Sequence, residues 1–103
     1  MNLQQLKQVI EVEKTASITQ AAKNLYMGQP NLSKSIKELE KEIGITLFRR
    51  TVKGVEATSE GLQFLRHAKE ITKKMEELET IYKPNQEKAF QFKISVLVEF
   101  ISP

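Results

Sequence analysis

Residues 17–44 read "SITQAAKNLYMGQPNLSKSIKELEKEIG", and the fold is decided there. Ser17 stands as a helix N-cap with Gln20 three residues on, the spacing of a capping box. Ile18, Ala21, Ala22 and Leu25 follow at helical intervals, and the two alanines permit close approach of another helix. Tyr26-Met27-Gly28 breaks this short helix, Gly28 being able to adopt backbone angles that other residues avoid. Pro30 falls in the first turn of the next helix, where its missing N–H is not needed. Leu32, Ile36, Leu39 and Ile43 then form a one-sided apolar stripe, with Lys34, Lys37 and Lys41 opposite. Gly44 is a C-terminal cap, and Ile45 is placed to fold back onto the last turn.

Working outward, Leu3, Leu6, Val9, Ile10 and Val12 recur at helical spacing, and "KTAS" (residues 14–17) ends that first helix. On the other side, "ITLFRRTVKGVEATSEG" (residues 45–61) reads as two short extended runs flanking Lys53-Gly54, a hairpin. Leu47 and Phe48 anchor its base, while Arg49, Arg50 and Lys53 stand on or near its tip. Thr58 or Ser59 caps a long fourth helix that continues to about Tyr82. Leu62 and Leu65 are expected to pack on their own domain. Phe64, Ala68, Ile71, Met75, Leu78 and Tyr82 alternate by four and three residues, a heptad seam that favours pairing with a second chain. Pro84 stops the helix and "PNQEK" is a polar hinge. "AFQFKISVLVEFISP" alternates as a strand does, with Phe90, Phe92, Ile94, Val96, Val98 and Phe100 on one face. The expected fold is mainly α: a winged helix-turn-helix of three helices and a β-hairpin wing over 1–58. A dimerisation helix over 59–83 and a hinge with a single strand over 84–103 follow it.

Composition narrows the classes of function. The 103 residues suffice for one small domain and an appendage, and 40% hydrophobic with 28% charged residues is ordinary for a folded chain. The net charge of +3 favours anionic partners only mildly, so clustering of the cations matters more than their number. There are no cysteines, which excludes disulfide staples and thiolate metal sites. No secretion signal and no membrane-length apolar run is apparent, so the expected location is the cytoplasm, or the nucleoid if DNA is the partner. No metal-ligand spacing, Gly-rich phosphate loop or nucleophile beside a base appears, so neither an enzyme nor a cofactor is expected. His67, the lone histidine, sits on a charged helix and receives no role.

A helix is narrow enough to lie in the major groove of DNA, and its N-terminal residues reach base edges. Gln29 and Asn31 carry paired donors and acceptors that match adenine. Lys34 reaches guanine acceptors or a phosphate, and Ser33 bonds either bases or backbone. Ser17 and Thr19 offer N–H groups and hydroxyls to a phosphate at the start of the second helix. Arg50 and Lys53 on the wing follow the backbone or enter the neighbouring minor groove. The rival reading of Gln29 to Lys34 is a plain helix start, and that of Lys34, Lys37 and Lys41 is a solvated face balanced by Glu38 and Glu42. A protein-interaction module built on the heptad helix is the competing function.

The run from Ala16 to Gly61 resembles the DNA-binding domain of LysR-type transcriptional regulators. The shared landmarks are Ala21-Ala22, Gln29-Pro30, Ser33, Ile36, Leu39-Glu40, Gly44, Leu47-Phe48, Arg50, Thr58 and Gly61. The resemblance extends over residues 1 to about 83, and the order and spacing of the landmarks together make it specific. It implies a bacterial, sequence-specific regulator that binds an interrupted palindrome in double-stranded DNA as a homodimer, paired through the long helix, with higher assembly possible. By position it puts Gln29, Pro30, Asn31, Ser33 and Lys34 in the major groove, Arg50 and Lys53 at wing contacts, and Ser17 and Thr19 near phosphate. Three positions depart from the family pattern: Gly28 for serine, Lys53 for arginine and Ala57 for leucine. "FQFKISVLVEFISP" resembles the first strand of the family's sensing domain. The rest of that domain is missing from the chain, so no small-molecule effector is expected for it, and residues 89–101 are expected either to pair with another chain or to be disordered.

Overall fold

The computed structural model describes residues 1–82; the hinge and strand expected beyond them lie outside the described residues. The order is α1 (Leu3–Thr15), α2 (Ile18–Asn24), α3 (Gln29–Ile43), β1 (Phe48–Thr51), β2 (Gly54–Ala57) and α4 (Ser59–Tyr82). Three helices, a two-stranded wing and a long following helix make a winged helix-turn-helix, as the sequence leads one to expect. Met1–Thr72 forms one compact unit, and the described residues from Lys73 onward lie outside it. The first turns of α4 therefore belong to the winged unit.

The core of that unit is built from the predicted stripes. Val9 and Val12 of α1, Ala21 and Ala22 of α2, Leu32, Ile36 and Leu39 of α3, Leu47, Val55 and Leu65 form one buried cluster. Ile43 and Ile45 pack partly against it. Each helix is closed by local chemistry. Asn2 caps α1 with a full capping box, its Oδ1 accepting from the Gln5 N–H at 2.8 Å and its own N–H donating to Gln5 Oε1 at 3.1 Å. Ser17 Oγ accepts from the Gln20 N–H at 3.0 Å, but Gln20 donates to Asn24 instead of back to the cap, so only half of the box expected there forms. Gly44 ends α3 in the left-handed region (φ 77°), its N–H bonded to the Glu40 carbonyl.

The break between α2 and α3 differs from expectation. Gly28 is ordinary extended backbone (φ −73°, ψ 143°), and the left-handed residue is Tyr26 (φ 56°). The Met27 N–H bonds the Ala22 carbonyl and the Tyr26 N–H bonds the Lys23 carbonyl, at 3.0 and 3.1 Å. This is a Schellman closure, whose geometry demands the left-handed conformation at its penultimate position, here Tyr26. The turn is set by hydrogen bonding along the end of α2, which composition alone does not locate.

The wing also sits one residue from where its glycine suggests. Thr51 pairs with Gly54, so Val52 and Lys53 form the turn and Gly54 opens β2. Gly54 is required for another reason: a Cβ there would run into the Ala16 carbonyl oxygen, which accepts the Val55 N–H at 3.1 Å. Thr58, not Ser59, caps α4, accepting from the Gly61 N–H at 2.9 Å while its hydroxyl donates to the Thr46 carbonyl. Gly61 lies against the Leu47 backbone, where a Cβ would collide with the carbonyl oxygen. One buried junction thus joins the base of the wing to the start of α4.

On α4, Gly61, Leu65, Ala68 and Thr72 are buried. Leu62 is exposed, contrary to the expected packing, because it lies about 100° around the helix from buried Gly61.

Candidate nucleic-acid interface

The two faces of α3 have separate work. Leu32, Ile36 and Leu39 are buried, whereas Gln29, Pro30, Asn31, Lys34, Lys37 and Lys41 are exposed. Ser33 is half-buried at the edge between the faces. Behind the helix, the Ser35 hydroxyl donates to Gln8 Oε1, and the buried Gln8 amide reaches Met27 Sδ at 3.8 Å. This polar pair fixes the rotation of α3 and steadies the turn that leads into it. No side chain caps the start of α3, so its first N–H groups are not occupied by a local acceptor.

The wing is held to α3 by Glu40. Its Oε2 accepts from the Leu47 N–H at 2.6 Å and lies 3.4 Å from the Phe48 nitrogen. Strand alternation then sorts the wing's cations. Arg49 stands across from Glu56 and pairs with it at 2.7 Å. Arg50 stands across from buried Val55, on the opposite face. Ser33, Lys37, Glu40 and Arg50 line one cleft between α3 and the wing, and Arg49, paired with Glu56, also reaches its lining. A shallower groove on the front of α3 is lined by Pro30, Ser33, Lys34, Lys37, Glu38 and Lys41. Lys53 is exposed in the wing turn.

No ion pair among the described residues takes up Lys34, Lys37, Lys41, Arg50 or Lys53. Residues 14–37, spanning α2, the turn and most of the front of α3, include four lysines and no acidic residue. A stretch with that bias suits a polyanion better than a solvated face of mixed charge. Lys37 is the residue that patterning misses: its spacing with Glu38 and Glu42 reads as a solvated face, yet it lines both the cleft and the groove. The wing's position over the same helix face is the missing signal, and it is visible only in three dimensions.

The remaining predicted residues are less uniform. Thr19 is exposed at the start of α2, while the Ser17 hydroxyl is already engaged as the cap. The heptad seam divides. Ala68 is buried within its own winged unit and Phe64 packs partly against the core, so the first part of the seam is largely consumed by folding. Ile71, Leu78 and Tyr82 are 50%, 51% and 76% exposed. Their helical phases fall within about 40° of one another, with Phe64 and Met75 in the same stripe. Ile81, 46% exposed, flanks it. No described helix is long and apolar enough to cross a membrane.

Residues 3–62 match the family described as "Bacterial regulatory helix-turn-helix protein, lysR family". The regulator BsdA of Bacillus subtilis is 44% identical over 78 residues, which cover 75% of this chain and 27% of BsdA. BudR of Klebsiella aerogenes is 44% identical over 71 residues, covering 69% of this chain and 50% of BudR. Both are HTH-type transcriptional regulators. Among solved structures, the BenM DBD/catB site 1 DNA complex superposes with a TM-score of 0.76 at 34% identity, over 81% of this chain and 89% of that one. The CbnR DBD–DNA complex gives 0.71 at 32% identity, over 75% and 88%. The chain spans about a quarter of the length of BsdA and of YcgK, another Bacillus subtilis relative.

Proposed function

Because the chain belongs to the lysR family of bacterial helix-turn-helix regulators, we propose that it is a transcription factor that binds double-stranded DNA sequence-specifically. It does so as a homodimer on an interrupted palindrome, in the cytoplasm at the nucleoid. The observation that carries this is the division of α3: a sealed apolar back and a polar, cationic front that shares a cleft with the wing. With the back fixed by the core and by Gln8, the front enters the major groove as a rigid unit. Gln29, Asn31 and Ser33 meet base edges, Lys34 meets a guanine or a phosphate, and Pro30 contributes apolar contact. Lys37 and Arg50 address phosphates on the wing side, Lys53 reaches the backbone or the adjacent minor groove, and Thr19 and Ser17 lie toward the flanking phosphates.

Pairing follows from α4. The stripe of Phe64, Ile71, Met75, Leu78 and Tyr82 fits a second copy of the same helix. Two joined modules raise affinity through effective concentration and set two recognition helices about one DNA turn (~34 Å) or a multiple apart. Ala68 takes no part in that contact beyond fixing the helix to its own unit. The proposed organisation is a winged domain over 1–58, a dimerisation helix over 59–83 and a following segment over 84–103.

Selection of bound duplexes from a random pool tests this. The expected result is a pair of inverted half-sites with fixed spacing. Retention of no duplex at low salt, or of all duplexes equally, would refute sequence-specific binding.

A further inference from the structure

Tyr26 combines two features whose coincidence in one residue the fold itself does not account for. Its backbone is left-handed (φ 56°) and its side chain is 97% exposed. The Schellman closure of α2 needs the left-handed conformation at this position, but glycine would adopt it without the steric cost that a tyrosine carries. Ala16, the other non-glycine residue there (φ 55°), keeps only a methyl group, and its carbonyl is bonded by the wing. The tyrosine ring, by contrast, is held away from every packed surface. Its position adjoins the proposed interface: beyond Met27, which packs partly against the core, Gly28, Gln29, Pro30 and Asn31 form an exposed run into α3. The surrounding segment carries cations and no carboxylate.

Resting on the DNA-binding reading above, we propose that Tyr26 is a DNA-contact residue whose phenol hydroxyl donates a hydrogen bond to a backbone phosphate at the edge of the groove occupied by α3. The left-handed turn is what projects the ring outward, so the protein trades stability for a contact. A phosphate contact made by an uncharged donor has a distinctive signature. It strengthens binding to all sequences alike, and it releases no counterion, so it leaves the salt dependence of affinity unchanged.

The test uses the full chain and a duplex recovered from the random pool. Tyr26→Phe should weaken binding about fivefold on that duplex and on unrelated duplex alike, with the same salt slope and an unchanged melting temperature. Tyr26→Gly should weaken binding at least as much while raising the melting temperature by about 4 °C, because it relieves the backbone. Replacing phosphates one at a time with neutral methylphosphonate should reveal one position in each half-site at which the wild type and Tyr26→Phe bind equally. Binding by Tyr26→Phe indistinguishable from wild type, or a lowered melting temperature for Tyr26→Gly, would overturn the assignment while leaving DNA binding intact. Failure of the wild type to retain any duplex would overturn both.

Discussion

Helices α3 and α4 carry the same kind of signal, an apolar stripe along one side, and the stripe meets opposite fates in the two. On α3 it is used up: Leu32, Ile36 and Leu39 vanish into the core, and what remains outside is polar and positively charged. On α4 the buried face is Gly61, Leu65, Ala68 and Thr72, while Ile71, Leu78 and Tyr82 stay half-exposed or more. One stripe folds the chain and positions a ligand-facing front; the other is left over after folding. Apolar periodicity therefore identifies a helix that must bury a face, and only the surroundings say whether the same chain or another supplies the cover.

The contrast can be broken most severely from the α3 side. Leu39→Ala should lose about 3 kcal/mol of folding stability, measured by urea denaturation, because it leaves a cavity where no neighbour can relax. A loss near zero would mean that the back of α3 does not seal the core. Next in size is Leu78→Lys. It should weaken self-association by about 2 kcal/mol in sedimentation equilibrium while leaving the α1–α3 unit folded by circular dichroism. Self-association equal to wild type would remove α4 from the proposed dimer contact.

Smaller effects sharpen the picture at the junction of wing and α4. Thr58→Ala removes the cap at Gly61 and the bond to Thr46, and should cost about 1 kcal/mol. Arg50→Ala and Lys53→Ala should each reduce the salt slope of DNA affinity by about 1.8 per bound dimer, since each withdraws one phosphate-neutralising charge from both protomers. Arg49→Ala, which breaks an exposed pair with Glu56, should change stability by less than about 0.5 kcal/mol.

Much of this was legible in residues 17–61. The helix stripes, the Gly44 cap, the Leu47-Phe48 anchor and the hairpin all follow from local rules of periodicity and backbone preference. What was hidden depends on hydrogen-bond closure and on packing partners that composition does not name. Nothing near Tyr26 in sequence marks it as left-handed; the closure of α2 onto Ala22 does so. Gly54 looks like a turn residue, yet its lack of a side chain answers to Ala16, far away in the chain. Leu62 is exposed and Ala68 buried, against expectation, because heptad counting gives relative phase along α4 but not which face the core will claim. Lys37 is similar: its charge pattern is that of a solvated helix, and only the wing held over α3 by Glu40 gives it a cleft to line.

The claim on which the rest depends is that the front of α3 enters the major groove. Methylation interference at guanine N7, an atom that faces only that groove, tests it on a duplex recovered from the random pool. Two clusters of interfering guanines on one face of the duplex, about one turn or a multiple apart, with wild-type sensitivity reduced by Lys34→Ala or Ser33→Ala, are the predicted outcome. Tight, sequence-selective binding with no guanine or adenine sensitive to modification in the major groove would contradict it.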